Sequence, residues 1–452
     1  MADDTYDLIV VGAGMAGVNA ANKCGAAGWR VAIVDELPYG GTCALRGCDP
    51  KKILRRAAEV VDAARLMEGK GISPGGLAID WADLMGHRRG FTDPVPDNME
   101  RGLRRNDVET LHGTATFTGP DVLEIDGRAV VGERFLVATG ATPRPLDIPG
   151  SEHLVDSTDF LHLDALPERL LFVGGGFVSM EFAHIAVRAG SAVTVVDRGE
   201  RPLKGFDPDL VDMLVERSRD VGITVRTRTS VRSVEPDDGG FVVELDAGGG
   251  VDRVEVDMVV HGAGRVPALD RLGLEAAGVA YGPDGVKVHP HLQSPTNPRV
   301  WATGDAADTP GLPLTPVAVF EGKVAASNML KGTTAVPDYD AVATGVFTIP
   351  ELTRVGMAEA GARERYGDRL AVRMSDTSGW YSSYRIGETH SAAKVLIDTE
   401  TDTVVGAHLL GPEYGEITAV FALAISQGLT TRQLKSMTPV YPTVAFDIGS
   451  ML

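Results

Sequence analysis

The chain has 452 residues, 44% of them hydrophobic and 23% charged, which is ordinary for a globular protein, too long for one core, and predictive of roughly two to four domains. Its formal net charge of −19 excludes a sequence-independent nucleic-acid surface, which needs clustered Lys and Arg, so no nucleic-acid partner is expected. No apolar stretch reaches the roughly 18 residues of a membrane span, so no membrane partner is expected either.

The N-terminus is acidic and runs straight into an apolar strand without a basic leader region, which predicts a cytoplasmic protein. The opening run YDLIVVGAGMAGVNAANKCGAAGWRVAIVDE reads as strand, glycine turn, helix and strand. In it Gly12 makes the tight turn, Gly14 lets the backbone approach a pyrophosphate, and Gly17 lets helix and strand pack closely. Asp35 closes the second strand, where a carboxylate accepts ribose hydroxyls. Cys24 lies in the helix and reads as a small buried apolar residue. Next comes GGTCALRGCDPKK, with Cys43 and Cys48 the only other cysteines. Three cysteines are too few for a disulfide framework, and a close pair in a reducing compartment is more often catalytic or metal-binding than structural. Zinc needs about four ligands, and neither a second cysteine pair nor a spaced histidine pair is present, so no metal is expected. Cys48 precedes Pro50 and the helical run KKILRRAAEVVDAARL, which puts it near a helix N-terminus, where the dipole favours a thiolate.

The glycine-punctuated strand FLVATGATPRP ends the first domain. A second strand, glycine turn, helix and strand follows in RLLFVGGGFVSMEFAHIAVRAGSAVTVVDRGER, with Gly174, Gly175 and Gly176 at the turn and Ser179 at the third glycine position. Asp197 ends its second strand and favours an unphosphorylated ribose, whereas Arg198, Arg201 and Lys204 behind it favour a 2′-phosphate. The balance favours NADPH, with NADH as the alternative. Glycine-rich turns at 237–240 and 246–251 read as hairpin or loop connections. RVWATGDAADT and the helical VAVFEGKVAASNML return the chain to the first domain. From about Pro337 strands and then the helix EITAVFALAISQGL form a third domain that ends in TPVYPTVAFDIGSML. SGWYSSYRIGE, residues 378–388, with Trp380, Tyr381, Tyr384 and Arg385, reads either as an interface-domain loop that shapes a substrate or dimer contact or, more commonly for such a sequence, as an exposed polar hairpin, and His184 and His390 read as structural or exposed.

The order of glycine unit, GGTC…GC…PKK, ATG, second glycine unit and ATGD resembles the flavoprotein disulfide reductases, the group of glutathione reductase, dihydrolipoamide dehydrogenase and mercuric reductase. The resemblance spans nearly the whole chain. It implies an α/β fold with two Rossmann-like dinucleotide-binding domains and a C-terminal α+β dimerisation domain. The implied boundaries are an FAD domain at 1–145, an NAD(P)H domain at 146–265, a central segment at 266–336 completing the FAD domain, and an interface domain at 337–452 in a homodimer. By position, Asp305 matches the aspartate at the flavin ribityl chain, Gly140 belongs to the motif where the chain crosses between the two nucleotide domains, Lys51 matches the lysine near flavin N5, and Glu181 matches its glutamate partner. Gly41, Thr42 and Gly264 join the cofactor-binding positions. The cysteines then read as a two-electron store beside the flavin, Cys48 facing it as the thiolate and Cys43 attacking a small disulfide substrate. Asp49 departs from the apolar residue common there; its charge disfavours a thiolate at Cys48 unless Lys51 or Lys52 offsets it.

The family's partner subunit contributes a tail with a His-Pro-x-x-x-Glu pattern. Here Tyr441 stands at the histidine position and Phe446 at the glutamate position. A phenol, with a pKa of about 10, donates a proton but is a poor base at neutral pH. Tyr441 is therefore expected either as the replacement acid or as an interface aromatic, with Asp447 adjacent. Besides disulfide reduction, the altered tail leaves open a quinone, metal-ion, electrophile or C–S acceptor, or a redox sensor or complex component.

Overall fold

The structure is a computed structural model and describes residues 5–332 and 335–452. Its chain forms two compact units, Met1–Pro50 with His87–Arg144 and Arg265–Tyr339, and Lys51–Gly86 with Pro145–Gly264 and Asp340–Leu452.

The first unit is built on a five-stranded parallel sheet in the order Val300–Ala302, Phe135–Val137, Leu8–Val11, Val31–Asp35, Val108–His112. Continuous β-branched and apolar runs suit these strands because helices cover a parallel sheet on its faces. The helix Met15–Gly25 follows the glycine turn, and a Cβ on Gly322, in the helix Thr315–Lys331, would lie 2.4 Å from the Ala16 carbonyl oxygen. That clearance lets the two helices touch backbone to backbone. Cys24 is fully buried between them and their sheet, and burial pushes its thiol up to about 12. Val300–Ala302 pairs with Phe135–Val137 at the edge of the sheet, so the late ATGD segment does come back to the first strands. A second sheet, Thr5–Tyr6, Arg128–Gly132, Val122–Ile125 and Ala115–Phe117, closes over Tyr6, Phe117 and Phe135.

The second unit repeats the parallel arrangement in four strands, Ile223–Arg226, Ala192–Val196, Arg169–Val173 and Met258–His261. The antiparallel strands Ser230–Asp237, Gly240–Asp246 and Val251–Val256 are joined by the two glycine-rich turns. A five-stranded antiparallel sheet runs Thr344–Val346, Glu351–Gly356, Thr403–Gly411, Ala392–Asp398, Leu370–Asp376, and the helix Tyr414–Gln427 packs on it.

Charge is also buried in this unit. Arg188, almost fully buried, donates to Asp62 from Nε at 2.9 Å and from its terminal nitrogen at 2.7 Å, and Arg217 donates to the same carboxylate. Lys394 donates to Asp207, Asp209 and Glu359 together. His184 is wholly buried, with Nε2 against the Ser218 hydroxyl and Nδ1 accepting the Ile349 N–H. It is a structural histidine. SGWYSSYRIGE is not a hairpin: Tyr381–Tyr384 is one turn of helix, and the Ser382 hydroxyl donates to Asp447. Its sequence lacks apolar periodicity, so a helix held by a tertiary partner left no local signal.

Candidate active site

The cysteine turn belongs to the first unit. A Cβ on Gly41 would sit 2.5 Å from the Gly14 Cα, and Gly41 has φ +63°, so only glycine lets the cysteine turn lie against the nucleotide turn. Thr42–Arg46 then forms a π-helical turn, and Cys48 opens the helix Cys48–Leu66. Five residues along an α-helix rotate by roughly 500°, about 140° past a full turn, which would face two side chains apart. The wider i→i+5 turn brings them back together. Cys43 is half-buried and Cys48 exposed, and the two are not joined as a disulfide. Hydrogen bonding to Cys48, and then burial, push the Cys43 thiol far above its ordinary range, with Asp49 adding to the rise and the Thr315 hydroxyl opposing it. Cys43 is therefore held as the thiol. The Thr315 hydroxyl also lies 3.8 Å from Cys48 Sγ, and the helix N-terminus stabilises negative charge on that sulfur. Burial raises the Asp49 carboxyl, which weakens its charge beside Cys48.

In the second unit Lys51 Nζ lies 2.5 Å from Glu181 Oε2, with both side chains almost fully buried. The approach is off the hydrogen-bonding direction, so the pair is held by charge. Glu181 Oε1 accepts the Phe347 N–H at 2.9 Å. Phe347, which the motifs did not single out, also accepts from Arg55 Nε through its carbonyl and carries the Lys52 ammonium 2.9 Å above its ring centre. Burial lowers Lys52 to about 8. The charge of Lys51 is thus matched by Glu181, and that of Lys52 is placed over an aromatic face.

The two nucleotide turns share one geometry. Gly12 and Gly174 have φ of +106° and +92°, and a Cβ on either would strike backbone at 2.3 Å or 2.7 Å. Asp35 accepts from Ala13 N–H at 2.7 Å and Leu37 N–H at 2.9 Å. Asp197 accepts from Gly175 N–H and Gly199 N–H, both at 2.6 Å. Each carboxylate braces its glycine turn and keeps further lone pairs for a ribose. Gly14 and Gly176 are the N-caps of the helices Met15–Gly25 and Phe177–Arg188, which leaves N–H groups directed at a phosphate. Gly17 packs 2.0 Å, measured from a built Cβ, from the Gly12 carbonyl oxygen; in the second unit Ser179 fills that place and Gly262 yields, since a Cβ there would meet Ser179 Oγ at 1.9 Å. Gly140 and Gly264 have φ of +71° and +106° and stand beside the strands Ala141–Pro143 and Arg265–Pro267, which pair with each other.

The basic cluster behind Asp197 is smaller than its sequence. Arg201 Nε donates to Asp212 at 2.7 Å, so it is not free for a 2′-phosphate; Arg198 and Lys204 are exposed. Asp305 is partly buried, and burial raises its carboxyl against the opposing charge of Arg265. The buried hydroxyls of Thr139 and Thr303, in the ATG and ATGD motifs, have no hydrogen-bond partner among the described residues. Orphaned hydroxyls beside a glycine turn and a carboxyl are what an FAD cradle supplies, so these residues fit that group.

In the tail, Tyr441 and Phe446 are exposed, and their rings stand edge to face with centroids 4.8 Å apart. Asp447 is turned away to Ser382. His390 is turned to Asp220 and Glu388. Among the described residues there is no cluster of three His, Cys, Asp or Glu side chains that could hold a metal ion, and no helix long and apolar enough to cross a membrane.

Residues 6–322 match the pyridine nucleotide-disulphide oxidoreductase family and residues 342–451 its dimerisation domain. A glutathione reductase of Burkholderia cepacia is 32% identical over 99% of this chain and 98% of its own length. A dihydrolipoyl dehydrogenase of Thermus scotoductus is 34% identical over 98% of this chain and 95% of its own. A mercuric reductase of Bacillus cereus is 30% identical over 97% of this chain and 70% of its own.

Proposed function

Since the chain belongs to the pyridine nucleotide-disulphide oxidoreductases, enzymes that use FAD and NAD(P)H, we propose that it carries electrons from NADPH to a small disulfide through Cys43 and Cys48, as a homodimer in the cytoplasm. The observation that supports this most is the placing of Cys43 beside Cys48 at the start of the helix Cys48–Leu66, because two neighbouring sulfurs store two electrons as a dithiol and release them on closing to a disulfide. Gly12, Gly14, Gly17, Asp35, Gly41, Thr42, Gly140 and Asp305 are the residues to hold FAD; Gly174, Gly176, Asp197, Arg198, Lys204 and Gly264 those to hold NADPH. By its match to the family's lysine, Lys51, paired with Glu181, would supply a fixed positive charge to the flavin.

The substrate steps balance on this chain's own groups. Cys43 gives its proton to Cys48 as its sulfur attacks the disulfide, forming a mixed disulfide and releasing a thiolate that takes a proton from the Tyr441 phenol of a second subunit, and the phenolate recovers its proton from solvent water. The Cys48 sulfur then attacks Cys43, the proton leaves with the second thiol, and the Cys43–Cys48 disulfide closes. FAD supplies the two-electron relay by which a hydride from NADPH reopens that disulfide to one thiol and one thiolate.

The exposed ring pair of Tyr441 and Phe446 favours a second reading, an apolar acceptor such as a quinone in place of a disulfide. The test is NADPH oxidation over a panel of disulfides, quinones and metal ions. Turnover of a disulfide that Cys43→Ser abolishes supports the first reading. Turnover of quinones alone, unaffected by Cys43→Ser, rejects it.

A further inference from the structure

Glu321 lies in the helix Thr315–Lys331 and is fully buried. A carboxylate so placed needs a reason, because taking it out of water is costly unless donors surround it. Three donors do. Oε2 accepts the Gly304 N–H at 2.6 Å, and Oε1 accepts the Thr309 hydroxyl at 2.8 Å and the Tyr339 phenol at 2.6 Å. Gly304 and Thr309 bracket the segment that follows the start of the ATGD motif, in which Gly304–Ala306 is a 3-10 turn and Ala307–Asp308 a short strand. The carboxylate therefore ties the entrance of that segment to its exit. Within the span lies Asp305, and just ahead of it the unpartnered Thr303 hydroxyl. Gly304 has φ +66°, so the segment starts from a conformation that its own chain does not enforce. Burial raises the Glu321 carboxyl, its three donors oppose that, and Asp305 nearby adds to the rise; two acids in one dry region stay put only while the donors hold.

We propose that Glu321 is a positioning residue for FAD: its carboxylate clamps Gly304 to Thr309 and so presents Asp305 and Thr303 to the cofactor. The role follows from acceptor count. A carboxylate accepts from all three donors as they stand, whereas a glutamine amide keeps the Gly304 N–H only by turning its NH2 to the Thr309 and Tyr339 hydroxyls, which must then reverse to accept, so the clamp loses its charge-assisted bonds. The proposal rests on the reading that this turn holds FAD, and the test separates the two.

Release of FAD from the holoenzyme on dilution, followed by flavin fluorescence, is measured for wild type, Glu321→Gln and Asp305→Ala, with apoprotein melting recorded alongside. Glu321→Gln is expected to weaken FAD retention about tenfold or more beyond what any change in apoprotein melting accounts for. FAD weakened by Asp305→Ala but held within about twofold by Glu321→Gln overturns the role of Glu321. FAD retention unchanged by Asp305→Ala overturns the assignment of the turn itself, and the clamp with it. Should Glu321→Gln not fold, Tyr339→Phe removes one donor and leaves the carboxylate; a severalfold faster release supports the clamp, and unchanged release overturns it.

Discussion

Tyr441 and Phe446 meet edge to face, ring centroids 4.8 Å apart and planes at 71°. Where the flavoprotein disulfide reductases carry an acid–base pair in this tail, the chain carries a pair held by its ring quadrupoles. Phe446 packs against the Tyr441 ring and carries no acid or base of its own. If the phenol protonates the leaving thiolate, Tyr441→Phe keeps the ring pair and loses the proton. Turnover of the disulfide should fall about tenfold or more, with the loss in kcat, and Phe446→Ala should have a smaller effect. A Tyr441→Phe rate equal to wild type at every pH removes the acid role and leaves an interface aromatic.

The cysteine pair makes an electron-count prediction. Wild type with FAD bound should accept one two-electron equivalent more, per subunit, than Cys43→Ser or Cys48→Ser in an anaerobic dithionite titration, because the disulfide is a second two-electron site. Equal uptake by wild type and either variant would show that the pair does not cycle.

Much of this was legible in the sequence, and the exceptions have a common cause. Gly12, Gly14, Gly17 and Asp35 lie within one strand–turn–helix–strand unit, so their spacing carries the geometry of the turn. Ser179 stands where the first unit has glycine, and the clearance it needs comes from Gly262, on a distant stretch of chain that spacing does not reveal. Arg201 counted as a free cation because Asp212 lies on a helix that spacing alone does not bring near. Phe347 went unnoticed because its work is done by a backbone N–H, a backbone carbonyl and a ring face, none of which makes a motif. Local chemistry shows in sequence; pairings made by the fold do not.

Cofactor choice follows from what Asp197 and Arg198 each do. Asp197 braces the turn through Gly175 and Gly199, so Asp197→Ala should raise KM for NADH and NADPH alike. Arg198→Ala, with Lys204→Ala, should raise KM for NADPH alone by about tenfold, since only a 2′-phosphate gains a charge-assisted hydrogen bond there. An equal change for both cofactors in the Arg198 variant would show that this exposed arginine does not read the phosphate.

Asp62 is the one carboxylate that Arg188 and Arg217 share, and burial holds Arg188 down at about 10. Asp62→Ala leaves buried Arg188 without its carboxylate and Arg217 with only Glu388, 3.5 Å away, and should destabilise the second unit by about 3–5 kcal/mol. Denaturant unfolding measures this; a loss under about 1 kcal/mol would mean that water or a neighbouring acid replaces the carboxylate.

Lys52 gives a pH signature with a definite sign. Burial lowers its folded-state value from 10.5 to about 8. Below about 8 both folded and unfolded chains hold the proton, and the folded chain bears the full cost of a poorly hydrated ammonium. Between about 8 and 10.5 the folded chain releases the proton while the unfolded chain keeps it, so stability contributed by this residue rises with pH. The Phe347 face under the ammonium reduces that cost without abolishing it. Lys52→Met has no proton to release. The unfolding free energy of wild type relative to Lys52→Met should therefore climb through this window, and parallel curves for the two proteins would show that the ammonium stays hydrated in the folded chain.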